Sequence, residues 1–215
     1  MTTSQPPEAL PKGEQGADAF ITYVLKLCEN KRIQAELRTG LGRPVERCNY
    51  LHRYLVPFLP DKPMHRDRKR AYYAVAALIA ARPRQARDAA AKENAVAGEW
   101  WSRPNLGASF ALAVRNHALK PDSAEGELHL LTRQGSDAIH PRLPALTRHF
   151  LIAGATVDWA VLLEDLSWWN RSRDRIATRW LESYFRTLST GSRHTPGTLI
   201  DPDSSDPTAS SKDAA

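Results

Sequence analysis

From residue 18 to residue 189 the apolar side chains recur three and four positions apart, and no stretch alternates with period two for long. Helices can bury such a pattern along one stripe, whereas strands would scatter it over both faces. Phe20, Val24 and Leu27, with Ile21, Leu25 and Cys28 beside them, predict one amphipathic helix from about Ala17 towards Leu37. The run Thr39–Gly42 breaks it, and Pro44 suits the first turn of a second helix carrying Val45, Cys48, Leu51, Tyr54, Leu55 and Phe58. A third runs from near Met64 through Tyr72, Val75 and Ile79 to a stop before Pro83. Residues 84–103 are alanine-rich and charged, which reads as an exposed helix or linker. Beyond it lies a helical pattern over Asn105–Leu119, with Gly107, Ala108 and Ser109 small enough for close helix approach. A short helix comes next over Asp122–Arg133, stopped at Gly135, and another starts at His140-Pro141 with Leu143, Leu146, Phe150 and Leu151 inward. Trp159, Leu162, Leu163, Leu166 and Trp169 form one apolar stripe, and Ile176, Trp180, Tyr184 and Leu188 form the next. The fold class is all-α: a helical bundle with subdomains at 18–83 and 104–189. The ends, 1–17 and 190–215, lack apolar periodicity and read as disordered.

Charge adds a functional constraint. The whole chain carries +6, but residues 1–17 carry −1 and residues 190–215 carry −2, which leaves +9 on the body. Within it, residues 62–92 hold nine basic residues against Asp67 and Asp88. An anionic partner fits that balance. Two cysteines, Cys28 and Cys48, stand in no metal or redox spacing and read as reduced thiols of a cytoplasmic protein. The N-terminal residues lack the apolar core of a signal peptide, and the longest strongly apolar run, Ala74–Ala81, is too short for a membrane span.

Motifs for catalysis are missing. No phosphate loop, dinucleotide fingerprint, nucleophile elbow or zinc-protease motif occurs, and no two of the seven histidines stand four apart on a helix. Catalytic residues, metal ligands and cofactors are therefore all assigned as none. Glu164 and Asp165 are adjacent, so on a helix they diverge by about 100° and share neither a proton nor a metal. They read as a solvated helix edge or a cap.

Two basic constellations remain. Arg66, Arg68, Lys69 and Arg70 open a helix, where positive charge opposes the dipole and a bound polyanion would relieve it. After Trp169, Arg171, Arg175, Arg179 and Arg186 fall within about 80° of one another on a continuous helix, opposite Ile176, Trp180 and Tyr184. Glu182 shares that face and is spaced to pair with Arg179 or Arg186. Trp159, Trp168, Trp169 and Trp180 read as packing residues, which leaves Trp100 and Trp101 to stack on a base or a partner protein.

Several segments resemble one family. Ala35-Glu-Leu-Arg38 and then Tyr50-Leu-His-Arg-Tyr-Leu-Val-Pro-Phe58 are similar to the N-terminal signature of the CasB family, the small subunit of the type I-E CRISPR Cascade complex. Asn105-Leu-Gly-Ala-Ser-Phe-Ala-Leu112 is similar to its central glycine motif. Leu146-Thr-Arg-His-Phe-Leu151, then Val157-Asp-Trp159 and Leu162-Leu-Glu-Asp-Leu-Ser-Trp-Trp169, resembles its C-terminal signature, the most specific of the three. The resemblance implies an all-α, non-catalytic protein with other Cascade subunits and crRNA as partners. It also implies a second copy of itself in the complex, and a basic surface that holds the displaced, non-target single-stranded DNA. Strand-contact positions carry over to Arg38, Arg66, Arg148 and Arg171, to which the basic constellations add Arg68, Lys69, Arg70 and Arg175. Ala108 stands where many relatives have arginine, so no contact is assigned there. A helix-turn-helix regulator is the alternative, although Thr39–Pro44 makes a poor recognition turn.

Overall fold

The computed structural model describes residues 16–60, 63–95 and 98–192, and among these the chain forms ten α-helices and short 3-10 turns without a strand. The predicted first helix is two, α1 (Ala17–Leu27) and α2 (Lys31–Arg38). Asn30 divides them: its side chain accepts from the backbone N–H groups of Arg32 at 3.0 Å and Ile33 at 3.3 Å and so caps α2. The predicted second helix is also corrected. Val45–Arg47, Asn49–Leu51 and Val56–Phe58 are 3-10 turns around a single α turn, α3 (His52–Leu55). The expected apolar residues nevertheless point inward, with Cys48, Leu51, Leu55 and Phe58 all buried.

The later elements match the periodicity more closely. They are α4 (Arg66–Ala80), α5 (Arg84–Ala95), α6 (Leu106–Arg115), α7 (Pro121–Thr132), α8 (Ser136–Ile139), α9 (Leu143–Ile152) and α10 (Trp159–Ser192). Gly154, at φ +63°, turns the chain out of α9 in the left-handed region, where glycine carries no steric penalty. The two last apolar stripes lie on one element that bends at Ser172, which leaves helical geometry at φ −136°, ψ 28°. The bend is sharp. Trp180 Nε1 donates to Asp165 Oδ2 at 2.7 Å, although fifteen residues of straight helix would separate them by about 22 Å.

Core residues join into one cluster, from Phe20 in α1 to Tyr184 in α10. Phe20 meets Phe58 and Tyr72 with ring centroids 5.3 and 4.6 Å apart, and Trp169 meets Trp180 at 4.7 Å across the bend of α10. The α10 element packs on both α4 and α6. At the α6 contact, a Cβ built on Gly107 would lie 1.8 Å from the Trp180 carbonyl oxygen, so only glycine allows the backbones to come this close. Arg103 bonds both Asp158 oxygens, at 2.7 and 2.8 Å, and Asp18 at 2.8 Å. Asp158 in turn accepts from Ala160 and Val161 at the start of α10. The end of the 84–103 segment is thereby tied to α1 and α10. The segments expected to be disordered, 1–17 and 190–215, lie almost wholly outside the described residues. No described helix is long and apolar enough to cross a membrane.

Candidate nucleic-acid interface

Trp168 is the centre of the cationic surface. It lies on the first arm of α10, where Leu162, Leu166 and Trp169 face the core. One position from Trp169 puts Trp168 about 100° off that stripe, and its ring is 41% exposed. Its Nε1 donates to Glu164 Oε2 at 3.1 Å, one turn back. The Arg171 guanidinium, one turn on, lies over the ring at 5.3 Å from the centroid. Trp168 lines two depressions. One, of about 290 Å³, includes Met64, His65, Arg68 and Arg171; the other, of about 690 Å³, includes Trp100, Arg175 and Arg179. The expectation that Trp168 is a packing residue is thus corrected, and the signal was present in the helical wheel of its own arm.

The basic residues picked out in the sequence sort into distinct environments. Arg171 and Arg175 are exposed on α10, one on each side of the bend, so they share no helical wheel. The continuous-helix angles expected for this stripe therefore hold only from Arg175 onward. Arg179 turns to the buried Asp165, with which it forms an ion pair, and Glu182 is not its partner. Arg68 lies 5.9 Å from the Tyr72 ring, and its Nε is buried without a hydrogen-bond partner among the described residues. Lys69 beside it is half-buried. Arg66 is exposed and 3.7 Å from Asp137.

Arg70 departs from the expected surface set. Its side chain is only 10% exposed and is ion-paired with Asp137, because it stands three and seven positions before the buried Tyr73 and Ala77. It braces α4 against α8 and does not face an external phosphate. Two other expected positions lie apart from Trp168. Arg148 is exposed on α9, and Arg38 lines a groove of about 950 Å³ with Lys26, Lys31, Arg84 and Arg87. Arg38, Arg148 and Arg175 form no ion pair with a described residue.

Glu164 and Asp165 do diverge, but Asp165 is no solvated edge. It is 3% exposed, and burial pushes its carboxyl up to about 6 against the pull of Arg179 and the Trp180 N–H. It fastens the two arms of α10. No group of three or more His, Cys, Asp or Glu side chains among the described residues is placed to hold a metal ion.

The class defined by this arrangement is an all-α protein with a cationic face set around an exposed tryptophan. Residues 34–185 match the family model of CRISPR-associated protein Cse2, and the chain belongs to that family. A chain in a structure of a CRISPR RNA-guided surveillance complex is 38% identical and superposes with a TM-score of 0.68; the match covers 82% of this chain and 95% of that one. A chain from such a complex in a pre-nicking state is 39% identical with a TM-score of 0.70, over 82% and 96% of the two chains. No curated protein sequence matches.

Proposed function

We propose that the chain is a non-catalytic, cytoplasmic subunit of a crRNA-guided CRISPR surveillance complex and holds the displaced, non-target DNA strand by its phosphates. It works beside the other Cascade subunits and the crRNA, with a second copy of itself in the same assembly. The observation that carries this reading is the match, at 38–39% identity, to nearly the full length of chains from RNA-guided surveillance complexes. The exposed guanidinium groups of Arg38, Arg148, Arg171 and Arg175 support it. Arginine forks bond phosphate oxygens without reading bases, which suits a strand whose sequence changes with every target. The energetic demand is small. Guide pairing exchanges one duplex for another at near balance, so a few backbone contacts tip the R-loop towards persistence.

The regulator alternative loses its footing in the fold. After the Thr39–Gly42 turn the chain forms a run of 3-10 turns and a single α turn, too short to lie along a major groove. The test of the main reading is charge reversal at two exposed sites, Arg148→Glu with Arg171→Glu, in the assembled complex. Neither residue is buried, so the thermal unfolding of the isolated chain should stay within a few degrees of the parent. R-loops on plasmid DNA should form more slowly and collapse sooner. R-loop lifetimes equal to the parent's would overturn the assignment.

A further inference from the structure

We infer that Trp168 stacks on an unpaired base of the displaced strand, so that this face selects single-stranded nucleic acid and does not respond to charge alone; the inference rests on the strand-holding reading above. A large aromatic ring 41% open to solvent is unusual beside Leu166 and Trp169, both fully buried. It is also held in place. The bond from Nε1 to Glu164 and the Arg171 guanidinium over the ring fix its orientation in advance, which lowers the entropy cost of stacking a planar partner.

The surroundings favour a nucleic-acid partner. Arg68 and Arg171 line one of the two depressions that Trp168 borders, and Arg175 and Arg179 line the other, so each depression sets cations beside the same aromatic residue. A single strand presents phosphates beside open bases, whereas a duplex keeps its bases stacked on each other. Trp100, 38% exposed in the larger depression with Arg103 5.1 Å from its ring, offers a second aromatic surface. Of the carboxylates at this depression, Asp165 is paired with Arg179 and Asp18 with Arg103, while Glu164 keeps its charge and orients the ring by accepting the Trp168 N–H. A protein partner would instead need its own acidic groups to answer the three guanidinium ions of Arg68, Arg171 and Arg175, since Arg179 is already paired with Asp165.

The test uses the assembled complex with Trp168→Ala and Trp168→Phe. The base analogue 2-aminopurine, whose fluorescence is quenched by stacking, is placed at one position at a time along the displaced strand. With the parent, quenching beyond that of free single strand should appear at discrete positions. W168A should restore the fluorescence there and shorten the R-loop lifetime roughly five-fold or more, the usual effect of losing one base–aromatic stack, while W168F retains most of both. The stoichiometry of this chain in the complex, measured by native mass spectrometry, should be unchanged. If no position responds to W168A, or if W168A releases the chain from the complex, the ring contacts something other than a base and the inference is overturned. Should R148E/R171E shorten the R-loop while W168A leaves the fluorescence alone, stacking fails and strand holding survives. If neither variant has an effect, both readings fall.

Discussion

At Gly107 the missing side chain sets the distance between α6 and α10. A methyl group there would overlap the Trp180 carbonyl, which is backbone and cannot rotate aside, so Gly107→Ala should cost about 3 kcal/mol in denaturant unfolding. An unchanged midpoint would mean that the two helices have slack. His140 sets a different limit. Its ring is buried, both nitrogens lack a hydrogen-bond partner among the described residues, and burial, helped by Arg70, pushes its pKa from 6.5 down to about 3 against the pull of Asp137. In the unfolded chain the imidazole takes up a proton below about pH 6.5, and in the folded chain only near about pH 3. Stability is therefore complete above that window and falls as the pH drops through it, by at most about 1.4 kcal/mol per pH unit from this group. His140→Leu should remove this share, so the stability of the parent relative to the variant should decline between about pH 7 and pH 5. Parallel denaturation curves at the two pH values provide the check.

Asp165 shows how one side chain can hold an element in shape. It ties Trp180 and Arg179 on the second arm of α10 back to the first arm, across the bend at Ser172. Asp165→Ala leaves the Trp180 N–H buried without an acceptor and should cost about 3 kcal/mol. Asp165→Asn keeps an acceptor and should cost less, as thermal melts of the two would show. The bend itself was not legible, because no proline or glycine marks Ser172 and the contacts that define it join residues fifteen positions apart. The run from Val45 to Phe58 was partly legible. Val45, Cys48, Leu51 and Tyr54 stand three apart, which is the period of a 3-10 helix as much as an edge of the α pattern. Asn30 is a good cap, yet the apolar pattern passes through it because α1 and α2 bury Leu27 and Ile33 in the same core. α4 and α7 fall within two residues of where periodicity puts them, whereas α6 stops at Arg115, four residues short of the expected Leu119. Of the site, the arginine-rich character of α10 was readable. The burial of Arg70 could be read from its spacing to Tyr73 and Ala77, but its pairing with Asp137 and that of Arg179 with Asp165 could not, because those partners meet only in three dimensions.

Over the whole molecule, the excess of seven positive charges counted within residues 62–92 does not form one surface. Arg66 and Arg70 share Asp137, Arg84 faces Asp88 at 3.8 Å, and Arg82 is buried beneath the Trp159 ring, where desolvation lowers its pKa to about 10. Exposed guanidinium groups without an ion pair among the described residues are distributed over α2, α9 and both arms of α10. Such a distribution suits the proposed strand-holding role, in which counterion release would dominate the binding free energy. This leads to a quantitative expectation for the strand-holding role. Each phosphate contact on a single strand contributes about −0.7 to the slope of log affinity against log salt, so Arg148→Ala with Arg171→Ala should flatten that slope by about 1.4 per chain. The loss should be the same for displaced strands of unrelated sequence, because phosphates carry no sequence information. R-loop stability measured across a salt series on several targets tests both parts together. An unchanged slope would remove these arginines from the strand path, and a loss confined to certain sequences would mean that the face reads bases through hydrogen bonds and does not merely grip the backbone.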